Sequence, residues 1–215
     1  MKKNKLLIAL TIAACSTVVV ADDEINYSFG LKSWNNELKT ANGTNTDNAN
    51  ATIVSATARK GDYFLATSFL TPATYTQQSG NFMTRRDADF ALGYQLNSNF
   101  SALLGSKRVG IRQYSSGWSS STISMTYLGI NGFTPVGENT FIFGQVTRSI
   151  KLNDSSTYAV GVKTIFTGYE AGYGYIYNKN TQFTVGYRNQ KFATNSSSYS
   201  SANLSGVIIG INITP

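Results

Sequence analysis

Two stretches of the chain bring together residue types that do chemistry with charge. Asp87 and Asp89 stand two apart, a spacing that puts both carboxylates on one face of a strand about 7 Å from each other. Such a pair can share a proton or hold a hard cation. Arg85, Arg86, Lys107, Arg108 and Arg112 lie close enough in sequence to make charge pairing the stronger expectation. Further on, Glu170 stands among Gly168, Gly172 and Gly174, with Arg188 one segment later.

The inventory excludes other chemistry. The chain has no histidine, and its one cysteine, Cys15, falls in the N-terminal segment. The remainder therefore offers no thiol, no disulfide and no His or Cys ligand for a transition metal. Serines cluster at Ser115-Ser116, Ser119 to Ser121 and Ser196 to Ser198, but without a base beside them they are not activated nucleophiles. No cofactor, no metal and no enzyme activity are expected.

Residues 1–21 read as a secretory signal: Lys2, Lys3 and Lys5 form a basic start, Leu6 to Ala14 an apolar core, and Val19-Val20-Ala21 a small-residue cleavage site. The domain would then be residues 22–215. Ile12-Ala13-Ala14-Cys15-Ser16 also fits a lipid-attachment box, although Val18 to Val20 continues the apolar run past the cysteine. The formal charge of +7 includes those three lysines, so the basic balance gives no reason to expect nucleic acid.

The elements that must position these charges are strands. After residue 21 no window is apolar for the ~20 residues that a spanning helix needs. Short segments alternate instead: Ile25, Tyr27, Phe29 and Leu31 with Asn26, Ser28, Gly30 and Lys32; Phe90, Leu92 and Tyr94 with Asp89, Ala91 and Gly93; Val207, Ile209 and Ile211 with Gly206, Ile208 and Gly210. Tight turns of Gly, Asn and Asp at 60–62, 97–99, 137–139 and 178–181 alternate with longer Asn/Ser/Thr-rich loops at 36–50, 72–84, 113–121, 151–163 and 194–202. This spacing predicts ten strands, at about 24–35, 51–60, 62–71, 85–96, 99–112, 122–135, 139–150, 164–177, 182–193 and 203–213. The alternation at 157–164 also fits a strand extension or an added hairpin, so eight or twelve strands satisfy the same pattern.

A soluble two-sheet sandwich alternates as well. Charged residues, however, are only 13%, about half the usual share for soluble domains. Tyr and Phe also gather at strand ends, as at Tyr173, Tyr175 and Tyr177. Both features suit a closed antiparallel barrel in a membrane.

In its exported start and its hairpins, such as Asp87-Ala-Asp-Phe-Ala-Leu-Gly-Tyr-Gln-Leu96, Thr126-Tyr-Leu-Gly-Ile-Asn-Gly-Phe133 and Thr167-Gly-Tyr-Glu-Ala-Gly-Tyr-Gly-Tyr175, the chain resembles the small outer-membrane β-barrel proteins of Gram-negative bacteria. The resemblance covers residues 22–215 and implies an all-β transmembrane barrel in the outer membrane. Its implied partners are membrane lipid, lipopolysaccharide and the outer-membrane assembly machinery. Barrels of this kind commonly end in an aromatic residue, whereas this chain ends Ile211-Asn-Ile-Thr-Pro215. The proteases, phospholipases and lipid A acyl-modifying enzymes among them rely on histidine, so their chemistry does not carry over.

In such a barrel the polar register faces the lumen. The turn at Asn97 to Asn99 then sets Asp89 against Lys107, or Asp87 against Arg108, and Glu170 within a diagonal step of Arg188. A network of Asp87, Asp89, Lys107, Arg108, Glu170 and Arg188 reads as a pore constriction or ligand site, or as interior charges that neutralise one another in a filled lumen. Tyr75, Trp118 and Tyr199 are expected as exposed aromatics on loops, able to contact sugar or protein. The functional expectations are a non-enzymatic envelope barrel, a small passive channel, or an adhesin acting through its loops.

Overall fold

The computed structural model describes residues 24–40, 46–76, 80–114, 117–154, 164–194 and 201–215. They form ten strands: β1 (Asn26–Thr40), β2 (Ala49–Lys60), β3 (Tyr63–Thr76), β4 (Phe82–Gln95), β5 (Phe100–Tyr114), β6 (Trp118–Pro135), β7 (Thr140–Asp154), β8 (Thr164–Asn178), β9 (Thr181–Thr194) and β10 (Ala202–Ile213). Each strand pairs with its sequence neighbours, and β1 also pairs with β10, closing the barrel. Every pairing is antiparallel. Leu31 is the join: it lies opposite Val54 on one side and Ile211 on the other. Closure leaves no open edge, the condition a sheet must meet to sit in lipid.

The short connections 61–62, 96–99, 136–139 and 179–180 lie at one end of the barrel with both termini, and the long connections lie at the other. Gly61 takes φ 55° at the first tight turn, a left-handed geometry in which any Cβ is strained. Outward residues near this end are aromatic and exposed, among them Tyr63, Tyr94, Phe100, Tyr173 and Phe183. Above them Leu65, Leu92, Leu104, Ile130 and Ile209 are also exposed, as the lipid face of a barrel requires.

Toward the long-loop end the alternation inverts. On β1, Leu31 faces out and Lys32 in, but Trp34 and Leu38 face in while Asn35 and Lys39 face out. The upper barrel thus has an apolar interior and a polar exterior, the arrangement expected of a wall that rises out of lipid into water. This inversion lengthens the strands beyond the expected bounds. β1 continues to Thr40, β3 to Thr76 and β7 to Asp154; on β1 and β3 residues that look loop-like by polarity, such as Asn35, Lys39 and Thr74, are the outward half of a solvated strand. Residues 155–163, where an extra hairpin was an alternative, lie outside the described residues, and Thr164 opens β8. On β3 the inversion coincides with an irregularity between Leu70 and Ala73. Pro72 lies in that gap, where a residue with no backbone N–H is tolerated.

Several interior aromatics lie flat over a glycine on the facing strand: Phe64 over Gly93, Tyr127 over Gly105 and Phe141 over Gly174, each pair directly opposite in register. A Cβ at any of these three glycines would overlap the ring. Only the absence of a side chain lets the ring lie against the wall.

Candidate functional site

The inward register gathers charge at mid-height from strands distant in sequence. Arg85 on β4 grips Asp87 with two bonds: Nε donates to Oδ1 at 2.7 Å and Nη2 to Oδ2 at 2.5 Å. Lys107 on β5 bridges both aspartates, 3.1 Å from Asp87 Oδ2 and 3.2 Å from Asp89 Oδ2. Tyr127 on β6 donates its hydroxyl to Asp89 Oδ1 at 2.6 Å. Arg85 is 1% exposed and Lys107 3%. At that depth each charge needs the partners it has.

A second group lies across the lumen. Lys32 on β1 donates to Glu170 Oε1 on β8 at 2.5 Å, and Arg188 on β9 approaches Glu170 Oε2 at 3.7 Å. The Arg188 guanidinium lies 5.2 Å from the centre of the Trp34 ring and that of Arg85 lies 5.4 Å from the centre of Phe192, so both cations also meet an aromatic face. Between the two groups lie cavities of about 60 and 30 Å³, the larger lined by apolar as well as charged side chains. Asp89, Tyr127, Gln145, Glu170 and Arg188 border both.

Apolar side chains flank the ionic layer above and below. Above it Trp34, Leu38, Tyr75, Val109, Phe166, Phe192 and Leu204 belong to one apolar cluster drawn from eight strands around the wall. Tyr75 donates its hydroxyl to Asn36 Oδ1 at 2.7 Å within this cluster. Below it, Phe64 and the packed pair Phe133 and Phe141 line the tight-turn end. Arg59 also lies there, donating to Gln95 Oε1 at 2.6 Å with its guanidinium over Phe64.

Of the charges expected in the lumen, Asp87, Asp89, Lys107, Glu170 and Arg188 face it. Asp89 stands opposite Lys107, and Glu170 directly opposite Arg188 rather than diagonal to it. Arg108 does not face the lumen: its neighbour Lys107 does, and adjacent strand residues point to opposite faces, so Arg108 is exposed on the outer wall. Tyr75 is not an exposed loop aromatic. It lies within β3, faces inward and is 0% exposed. Trp118 opens β6 opposite Tyr114, and Tyr199 lies outside the described residues. Sequence reasoning overlooked Lys32, Tyr127 and Gln190 as members of the network, and it named Arg85 only as a neighbouring cation able to pair with the aspartates. The polar half of the β1 alternation already contained Lys32, and the spacing of Arg85 from Asp87 already put both on one face.

No protein-family model matches the chain, and no curated protein matches it in sequence. Among solved structures, the outer membrane protease OmpT from Escherichia coli is similar at a TM-score of 0.54 and 12% identity, over 93% of this chain and 99% of that one. Neisserial surface protein A gives a TM-score of 0.44 at 12% identity, over 88% and 97% of the two chains. At such identity the first likeness speaks to architecture alone. The fold is that of the outer-membrane β-barrels of Gram-negative bacteria.

Proposed function

We propose that this chain is exported by its N-terminal segment to the Gram-negative outer membrane. There it serves as a non-enzymatic envelope protein whose lumen does not conduct solutes. The observation that carries the reading is contact across the lumen. Arg85 of β4 meets both Gln190 and Phe192 of β9 on the opposite wall, and Lys32 of β1 reaches Glu170 of β8. Interior charges pair with one another, and the cavities between the two charged groups are about 60 and 30 Å³, the pattern of a barrel that uses its lumen as a core. The absence of histidine from the chain supports the non-enzymatic part of the reading, since acid–base work at neutral pH most often uses that side chain.

The test is fractionation of host cells followed by planar-bilayer recording of the purified full chain. The protein is expected to sediment with outer membranes, to migrate differently on a gel before and after boiling, and to give no stepwise conductance. Steps whose ion selectivity changes on replacing Asp89→Asn together with Lys107→Gln would put the passive-channel reading in its place.

A further inference from the structure

The ionic layer holds more cations than acids. Among the described residues its members are Lys32, Arg85, Lys107 and Arg188 against Asp87, Asp89 and Glu170, four positive charges to three negative. Arg85 and Asp87 neutralise each other through two hydrogen bonds. The excess therefore falls around the two cavities, where Lys32, Lys107 and Arg188 meet Asp89 and Glu170. A charge left over at such depth is costly unless something of opposite sign meets it.

The hydrogen bonds show the same imbalance atom by atom. Both carboxylate oxygens of Asp89 are taken, Oδ1 by the Tyr127 hydroxyl and Oδ2 by Lys107. Both oxygens of Glu170 are faced by cations, Oε1 by Lys32 and Oε2 by Arg188. The donors are not used up in return. At 3.7 Å Arg188 is too far from Glu170 for a hydrogen bond, and its guanidinium donates none to a described residue.

Two further donors share its level. Asn131 on β6, Gln145 on β7, Glu170 on β8 and Arg188 on β9 stand directly opposite one another in succession. Asn131 is 9% exposed, and neither its amide nitrogen nor its amide oxygen has a hydrogen-bond partner among the described residues. Gln145 likewise bonds to no described residue through its side chain. Asn131, Gln145 and Arg188 all border the larger cavity.

Charge and hydrogen bonding thus call for one kind of ligand, negative and able to accept from several directions at once. Water satisfies an amide but leaves the charge uncompensated. The larger cavity, about 60 Å³, has room for about four water molecules, which suits a monatomic anion that keeps part of its hydration shell.

We propose that the lumen binds one halide ion in the cavity bordered by Arg188, Gln145 and Asn131, where it balances the charge of the ionic layer. The ion is a resident of the core, not a transported solute, and the site needs only the closed barrel, whatever the role of the chain in the envelope. The experiment refolds the full chain into detergent in sodium bromide or in sodium gluconate of equal ionic strength, gluconate being too large for the cavity. The temperature at which the folded gel band disappears is read against bromide concentration for the wild type, N131D, R188Q and K179Q, the last a change in a tight turn away from the site. Crystals of the wild type grown in bromide are then measured at the bromine absorption edge.

The wild type and K179Q should gain about 5 °C in bromide, with saturation, and the anomalous map should show one peak in the cavity. N131D supplies a fixed carboxylate there and R188Q removes the excess charge, so both should lose the gain. Equal temperatures in bromide and gluconate, a gain that rises without saturating, a gain kept in full by both variants, or water alone in the cavity of the bromide crystals would each overturn the site. Where a variant does not fold, the wild-type titration and the map decide. A wild type whose migration is unaffected by boiling would instead overturn the barrel reading beneath it.

Discussion

Arg85 Nη2 donates to Gln190 Oε1 at 2.6 Å, and the two residues come from β4 and β9, which are five strands apart in either direction around the barrel. The bond therefore spans the lumen along a diameter. It ties opposite walls through a guanidinium that also holds Asp87, so the transverse contact and the ionic layer are one structure.

Removing Arg85 should be among the most damaging single changes in the lumen. Arg85→Ala leaves Asp87 buried with Lys107 as its remaining cation, at a cost of ~3–5 kcal/mol. Gln190→Ala removes only a neutral acceptor of a charged donor and should cost ~1.5–3 kcal/mol. Urea-dependent unfolding of the two variants in lipid vesicles ranks them, and a Gln190→Ala loss as large as that of Arg85→Ala would contradict this account.

The bridge between Lys32 and Glu170 makes a different prediction, one about non-additivity. Glu170→Leu strands Lys32 and Arg188 without their carboxylate and should destabilise by ~3 kcal/mol or more. Lys32→Met combined with Glu170→Leu should recover part of that loss, because the double change removes both buried charges. A double-mutant cycle read by the temperature at which the folded gel band disappears would show the coupling, and simple additivity would refute it.

Glycines beneath rings should resist even alanine. Gly174→Ala puts a methyl where the Phe141 ring lies, whereas a Cβ at Gly144 meets nothing closer than the Glu170 carbonyl oxygen at 3.7 Å. We expect Gly174→Ala to cost ~1–3 kcal/mol by overpacking and Gly144→Ala to be close to neutral. Refolding yield into vesicles distinguishes them, and equal yields would mean that the ring moves aside freely.

If the apolar cluster closes the lumen, hollowing it should open one. Trp34 and Tyr75 are both 0% exposed, and Trp34→Ala with Tyr75→Ala removes two of its largest side chains. Together the two truncations should cost several kcal/mol and convert a silent protein into one with measurable bilayer conductance. Silence in a folded double variant would place the seal in the ionic layer or at the tight-turn end.

What the sequence discloses here follows the range of the interaction. The ten strands and the match of Asp89 to Lys107 are local facts, fixed by alternation and by the tight turn at Asn97 to Asn99. The partner of Lys32 is 138 residues away and meets it only after closure, so no local pattern names it. Gln190 is neutral and gives no charge signal at all. Tyr75 misleads for another reason. Thr74 and Thr76 beside it suggest a loop, yet in the upper barrel polar residues face outward and an aromatic between them faces in. Arg108 errs in the opposite sense: its charge suggests the lumen, while its parity with Leu104 places it outside.

The rings seated on glycines also bear on how the hairpins thread during insertion. In lipid any antiparallel alignment satisfies the backbone, so hydrogen bonding alone does not tell a correct hairpin from a slipped one. A slip of two residues between β3 and β4 keeps every side chain on its own face but brings Phe64 opposite Ala91 or Gln95 instead of Gly93. Either residue has side-chain atoms where the ring must lie. Shape thus rejects a misthreaded pair that polarity would accept, and Phe64, Tyr127 and Phe141 act as keys cut for one alignment at three hairpins around the wall.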